Sequence, residues 1–138
     1  MKTIGDVMTR NVQLARPEQS IREAAEVMAS ADVGSLPVSD GDRLVGMVTD
    51  RDLALRAIAR GLGPDTAVRD VMTCDIKYCQ DHEEVAAVAR NMAELGVRRL
   101  PVVDADKRLV GIVALSNIAQ SGNEQASESL LDGVAQPH

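Results

Sequence analysis

Three polar residues close together in the chain are the best candidates for chemistry: Thr49, Arg51 and Asp52. They follow Leu44 to Val48, a short apolar run typical of a β-strand, and Thr49 with Asp52 three residues later is the pattern of a helix start. At such a junction, unpaired backbone N–H groups and the positive end of the helix dipole favour an anion. The hydroxyl, guanidinium and carboxylate groups would project into the same place.

This stretch is one half of a duplication, because Leu44 to Asp52 recurs as Leu109 to Asn117. Before the turn between the two hairpin strands, each residue of copy one and its match in copy two are separated by a constant number of positions. After that turn, the separation is one residue longer. We infer two ancestral copies that differ by a single insertion. Two further segments recur in the same order, Val7-Met8-Thr9 as Val71-Met72-Thr73 and Leu36-Pro37-Val38 as Leu100-Pro101-Val102.

The residue pattern of each copy predicts secondary-structure elements in the order β-α-β-β-α. Ser20 with Glu23 is a capping box, and apolar residues follow at helical spacing, which predicts a helix with one buried stripe. The first strand of each copy is predicted at Asn11 to Leu14 and at Ile76 to Tyr78, and a hairpin and a short second helix follow. The helix stripes are predicted to contain Ile21, Ala24, Ala25, Met28 and Ala31 in copy one, and Val85, Val88, Ala89 and Met92 in copy two.

A single copy would be a marginal fold, so the two copies are expected to pack together. The predicted fold is α/β, with two tandem repeats packed about a pseudo-twofold axis. Each strand-to-helix junction would then face the other copy's loop before Leu-Pro-Val. The predicted divisions are residues 1–62 for repeat one with its lead-in, 63–120 for repeat two with its lead-in, and 121–138 for a polar, frayed tail.

Composition limits the classes of partner. The chain of 138 residues has no Phe, no Trp and one Tyr, so its core must be aliphatic. The formal net charge of −6 argues against nucleic acid and anionic membranes as partners. The N-terminus has no apolar signal-peptide core, and no apolar run approaches the roughly 20 residues of a membrane span. We expect a cytoplasmic protein.

No residue set supports catalysis or a metal site. Cys74 and Cys79 lack the spacing of a zinc site, and we expect both to be buried or half-buried free thiols. His82 follows Asp81 at a predicted helix start, where a solvated first turn is the plainer interpretation. No Ser/His/Asp set or P-loop is present, so we predict that the chain is not an enzyme.

The three recurring motifs together resemble a pair of CBS domains, also called a Bateman module, over roughly residues 3–120. The resemblance implies that Asp52 holds the two hydroxyls of an adenosine ribose and that Thr49 reaches a phosphate. The simpler alternative is that Thr49 and Asp52 only cap a helix. In copy two, Ala114 replaces the usual Ser or Thr and Asn117 replaces the acid, while Ser116 remains, so the Thr49/Asp52 site is expected to be the better one.

The resemblance to CBS domains implies further residues of the predicted ligand site. Basic residues before Leu-Pro-Val can meet phosphates in this family, and Arg51 is a further candidate; the alternative is that these arginines are only solvated. Valines in the same loops could lie against an adenine ring, or could be plain core residues. The residues in question are Arg98 and Arg99 with Val97 in copy two, and Gly34 and Ser35 with Val33 in copy one.

The resemblance implies a stand-alone bacterial-type regulatory module that binds an adenine nucleotide or adenosyl compound between the two repeats and needs no cofactor. AMP, ADP and ATP are the first candidates, and S-adenosylmethionine and NAD are less favoured ones. It also implies a homodimer and an unidentified protein target. The alternative is a dimeric stress-response or protein-interaction module with no bound nucleotide.

Overall fold

The computed structural model describes residues 2–121, and the predicted tail over 121–138 lies outside them except for Ser121. The chain forms two compact units. Residues 13–76 make up the first-repeat unit, and residues 1–12 together with 77 onward make up the second-repeat unit. The units therefore divide the chain differently from the sequence repeats, because each lead-in belongs to the unit that contains the other repeat.

The first-repeat unit consists of helix α2 (Ile21–Ala31), strands β1 (Ser35–Asp40) and β2 (Arg43–Thr49), and the helical segment that follows them. β1 and β2 are antiparallel, and Leu36 pairs with Val48. The strand predicted at Asn11 to Leu14 is wrong. The chain crosses from one unit to the other between residues 12 and 13, and only Ala15 reaches β1, as a single parallel bridge to Val38.

The second-repeat unit begins with the short helix α1 (Ile4–Val7), which comes from the N-terminus. It continues with β3 (Cys79–Gln80), α4 (Val85–Leu95), β4 (Arg99–Val103), β5 (Leu109–Ala114) and α5 (Leu115–Gln120). β3 is parallel to β4, which is antiparallel to β5. The strand predicted at Ile76 to Tyr78 is displaced to β3, because the unit boundary falls after residue 76 and the buried Cys79 pairs with Val102.

The two longer helices follow the predicted apolar stripes. In α4 all four predicted positions are buried. In α2 the buried positions are Ile21, Ala24 and Met28, whereas Ala25 and Ala31 are half-buried. The predicted capping box of α2 is confirmed, because Ser20 Oγ accepts the Glu23 N–H at 3.1 Å and Glu23 Oε1 lies 3.2 Å from Ser20 Oγ.

The helical segment after β2 is not a uniform α-helix. It begins as α3 (Asp50–Asp52), widens into a π-helical segment over Leu53–Ala57 and closes as a 3₁₀ turn over Ile58–Arg60. It ends at Gly61, whose φ of 74° is the left-handed conformation that favours glycine at the C-terminal end of a helix. The sequence did not predict the π-helical segment, a feature often found near functional sites.

The recurring Met-Thr segments lie against the glycine-containing strands. Thr73 exchanges backbone hydrogen bonds with Met47 at 2.8 and 2.9 Å, and Thr9 exchanges the same pair with Ile112. A Cβ atom on Gly46 would lie 2.9 Å from both Met72 Sδ and the Thr73 carbonyl oxygen. Glycine is required here because the neighbouring backbone approaches too closely for any side chain.

We predict that Gly46→Ala destabilises the protein by about 1–3 kcal/mol, the usual range for overpacking a filled site. The added methyl group would displace Met72 and the backbone at Thr73. Urea unfolding monitored by circular dichroism measures the change. Gly63→Ala is the matched control, since nothing lies within 4 Å of its Cβ position. Equal midpoints for the two variants would contradict the close approach at Gly46.

Candidate functional site

Thr49 and Asp52 cap the helix start by two reciprocal hydrogen bonds. Thr49 Oγ1 accepts the backbone N–H of Asp52 at 3.0 Å, and Asp52 Oδ2 accepts the backbone N–H of Thr49 at 3.0 Å. The two residues therefore do cap the helix, a role that is compatible with a ligand contact. The cap uses one lone pair of the hydroxyl and one carboxylate oxygen, and it leaves the hydroxyl proton of Thr49 and Asp52 Oδ1 available for other partners.

Asp52 is one of the few polar residues in the core, with 8% of its surface exposed. Its Oδ1 atom faces two donors that the sequence analysis did not single out. Thr73 Oγ1 lies 3.4 Å away, and Arg56 Nε lies 3.7 Å away. Arg56 also donates from Nη1 to the Met72 carbonyl oxygen at 3.2 Å. The carboxylate is therefore held on both oxygens.

The loop before Leu36 lies beside this helix start within the same unit. The Gly34 carbonyl oxygen accepts the Asp50 N–H at 2.9 Å, and Ser35 pairs with Thr49 across the hairpin. Val33 is half-buried against the core of the unit, and the Arg51 side chain is exposed. The hairpin register brings the loop of the same repeat to each helix start.

The second junction has the same backbone with different side chains. Asn117 Oδ1 accepts the Ala114 N–H at 2.8 Å, as Asp52 does for Thr49, and Asn117 Nδ2 lies 3.4 Å from Thr9 Oγ1. Ala114 cannot return a side-chain bond. Ser116 is exposed, and one further N–H of the Asn117 amide remains available. This junction therefore presents a donor where Asp52 presents only acceptors.

The arginines of the second-repeat unit lie next to that junction. The Arg98 carbonyl oxygen accepts the Leu115 N–H at 3.0 Å, and Arg99 pairs with Ala114. Both side chains are exposed, and within residues 2–121 neither forms an ion pair. Val97 is half-buried against the core of this unit. The predicted site residues thus fall into two groups, one at each strand-to-helix junction.

A family comparison bears on these two junctions. The sequence model of the CBS domain matches the chain twice, over residues 4–58 and 68–123. The chain belongs to the CBS-domain family. The resemblance noted in the sequence and the α/β fold with tandem repeats are thereby confirmed.

Individual CBS-domain proteins resemble the chain over most of its length. CBS domain-containing protein YhcV of Bacillus subtilis is 40% identical over 132 residues, which are 94% of each chain. Hypoxic response protein 1 of Mycobacterium tuberculosis is 35% identical over 139 residues, covering 99% of this chain and 96% of the relative.

Two solved CBS structures carry bound groups. CBSX2, known from Arabidopsis thaliana, has been solved in complex with AMP; it has a TM-score of 0.75 and 34% identity, over 88% of this chain and 96% of that one. Hypoxic Response Protein I has been solved with two coordinated zinc ions; it has a TM-score of 0.76 and 35% identity, over 86% and 98%. Within residues 2–121, no group of three or more His, Cys, Asp or Glu side chains is placed to hold a metal ion.

The structure also places the histidine and the two cysteines that were considered in the sequence. His82 is exposed in the turn before α4, whose N-cap is Glu84, so the predicted helix start at Asp81 is three residues early. Cys79 is buried as expected, whereas Cys74 is exposed, so that part of the prediction is wrong. Cys74 follows the bridge at Thr73, where the chain leaves the strand edge.

No helix in the described part is long and apolar enough to cross a membrane.

We predict that the two thiols react differently. Burial and the nearby Glu83 charge raise the pKa of Cys79 to about 12. At pH 8, iodoacetamide should label only Cys74 in the native protein and both thiols in urea, as counted by mass spectrometry. Rapid native labelling of Cys79 would contradict its burial.

The same thiol predicts a pH dependence of stability. Above the ordinary thiol pKa of 9.0 the unfolded thiol ionises while native Cys79 keeps its proton. The free energy of unfolding should therefore fall as the pH rises from about 9 towards 12. Cys79→Ala should reduce this slope, since the corresponding position of the first-repeat unit is a buried alanine, Ala15. An identical slope in that variant would exclude Cys79 as the cause.

Proposed function

We propose that this chain is a non-catalytic regulatory module that binds an adenine nucleotide at the Thr49/Asp52 junction. The observation that carries the proposal is the buried Asp52 carboxylate. One of its oxygens caps the helix and the other retains accepting capacity at the strand end. A carboxylate in this position suits the cis-diol of a ribose, because each hydroxyl can donate a charge-assisted hydrogen bond of about 1.5–3 kcal/mol.

The neighbouring groups suit the rest of a nucleotide. Thr49 already accepts a backbone N–H, so its own hydroxyl proton is available to a phosphate oxygen. Arg51 supplies an exposed cation at the same helix start, and Val33 with Gly34 and Ser35 offers the apolar and backbone surface for the base. The relative CBSX2, which was solved with AMP, supports AMP as the first ligand to test. ADP, ATP, S-adenosylmethionine and NAD follow.

The second junction is proposed as a weaker site. It lacks the carboxylate that would hold the ribose. Phosphate and base could still be contacted by Ser116, Asn117, Arg98, Arg99 and Val97. We also propose that the protein is a homodimer whose ligand state is sensed by a protein target. A ligand can shift such an equilibrium only by its differential affinity for the two states.

We expect Asp52→Asn to weaken AMP binding by about five- to tenfold, because neutral hydrogen bonds replace charge-assisted ones. The amide keeps the helix cap, as Asn117 shows at the other junction. Isothermal titration calorimetry with AMP measures the change. Asp65→Asn is the matched control, because it removes an exposed charge of the same unit that makes no hydrogen bond to the Thr49 junction.

The titration, together with the unfolding free energy measured with and without ligand, separates nucleotide binding from an interaction module. AMP at a hundred times its dissociation constant should also add about 2.7 kcal/mol to the unfolding free energy. If neither AMP nor any of the other adenosyl ligands stabilises the protein, an interaction module without nucleotide replaces this proposal. If AMP binds equally well to Asp52→Asn, the carboxylate does not contact the ribose.

The reciprocal substitution, Asn117→Asp, should strengthen the second site. Its carboxylate can still accept the Ala114 N–H, and the Thr9 hydroxyl can reorient to donate to it. We expect the dissociation constant of the weaker AMP site to fall about five- to tenfold, or a second site to become measurable by calorimetry. Unchanged affinity and stoichiometry would argue that the second junction does not bind nucleotide.

A further inference from the structure

We propose that Thr73 is a positioning residue for ribose recognition, because its hydroxyl fixes the orientation of the Asp52 carboxylate. This inference rests on the proposed nucleotide site and adds a residue from outside the Gly46-to-Asp52 stretch. Thr73 lies 21 positions along the chain from Asp52, in the lead-in of the other sequence repeat.

Without Thr73, hydrogen bonds fix the carboxylate plane at one point, Oδ2, and Oδ1 keeps only the longer ion-pair contact with Arg56. Asp52 Oδ2 is bound by the Thr49 N–H at 3.0 Å, and the carboxylate can still rotate about that bond. The hydroxyl of Thr73, 3.4 Å from Oδ1, supplies the second point. This distance is longer than that of a strong O–H···O bond, so the contact is a weak hydrogen bond. Arg56 Nε, at 3.7 Å, adds positive charge on the same oxygen.

The backbone holds Thr73 more rigidly than a surface loop would. Its N–H and carbonyl groups both bond to Met47, at 2.8 and 2.9 Å, and the Arg56 guanidinium donates to the carbonyl oxygen of Met72. The Met72 side chain fills the space above Gly46. The side chain of Thr73 therefore starts from a fixed backbone, from which its hydroxyl can orient Asp52 Oδ1.

The same arrangement occurs in the second-repeat unit with the hydrogen bond reversed. Thr9 exchanges backbone bonds with Ile112, and its hydroxyl accepts from Asn117 Nδ2 at 3.4 Å. A hydroxyl can both donate and accept, so threonine can orient either a carboxylate or an amide at this position. The threonine therefore contacts the third residue of the helix in both units, although that residue is Asp52 in one and Asn117 in the other.

A fixed carboxylate plane matters for a cis-diol because both ribose hydroxyls must meet accepting oxygens together. If Thr73 loses its hydroxyl, Oδ2 stays on the helix cap and Oδ1 loses its orientation. Binding should then lose the contribution of one ribose hydroxyl and keep the other contacts. This is a change in selectivity that loss of general stability would not produce.

The experiment compares AMP with 2′-deoxy-AMP and 3′-deoxy-AMP by calorimetry on the full chain. The native protein should bind both deoxy analogues about tenfold more weakly than AMP. Thr73→Val, nearly isosteric, should bind AMP about five- to tenfold more weakly and bind one analogue as before. Thr73→Ser should behave as the native protein. Thr66→Val is the control, because the Thr66 hydroxyl donates to the Gly63 carbonyl in the same unit.

Each result has one meaning. If the native protein binds none of the three nucleotides, AMP is excluded as the ligand, and the proposed function fails if ADP, ATP, S-adenosylmethionine and NAD also do not bind. If it binds and prefers AMP, and Thr73→Val keeps both affinity and preference, the positioning role is overturned while the nucleotide site stands. Equal weakening of AMP and both analogues in Thr73→Val would also overturn it. If Thr73→Val does not fold, as judged by circular dichroism, Thr73→Ala is measured with the same expectations.

Discussion

The structure depends on the turn from strand to helix at Thr49, where two side chains satisfy two backbone N–H groups of the helix start. This cap stabilises the helix start because the first N–H groups of a helix have no partner within it. The consequence is that Thr49 and Asp52 have a structural role before any ligand arrives. The remaining capacity of each group, one hydroxyl proton and one carboxylate oxygen, is what the protein can offer to a ligand.

Duplication gave the chain two such junctions, and divergence made them chemically different. The first has a hydroxyl and a carboxylate; the second has a methyl group and an amide. Both keep the bond from a side-chain oxygen to the residue that precedes the helix, where it stabilises the helix start. Divergence affected the groups that remain free. Asp52 can only accept hydrogen bonds, whereas Asn117 can also donate one, so the two sites differ in the polarity of the ligand group that they suit.

The exchange of lead-ins makes each unit depend on distant parts of the chain. Met8 and Thr9 complete the sheet that contains β5, and Met72 and Thr73 complete the one that contains β2. Gly46 and Gly111 permit both approaches because they have no side chain where sulfur and carbonyl oxygen come close. Residues of one sequence repeat thereby support the strand-to-helix junction of the other. The proposed ligand site and the fold consequently depend on the same segments.

The sequence alone determined the features that depend on short spacing. The duplication, the hairpins, the Ser20 and Thr49 caps and the buried stripe of α4 all follow from periodicity and from residues within one or two helical turns. Only the tertiary structure decided which distant groups meet. The pairing of Thr73 with Asp52, the exchange of lead-ins, the short β3 and the different exposure of Cys74 and Cys79 arise from the register of segments far apart in the chain. Local propensity contains no information about that register, because it is set by long-range packing of complementary surfaces.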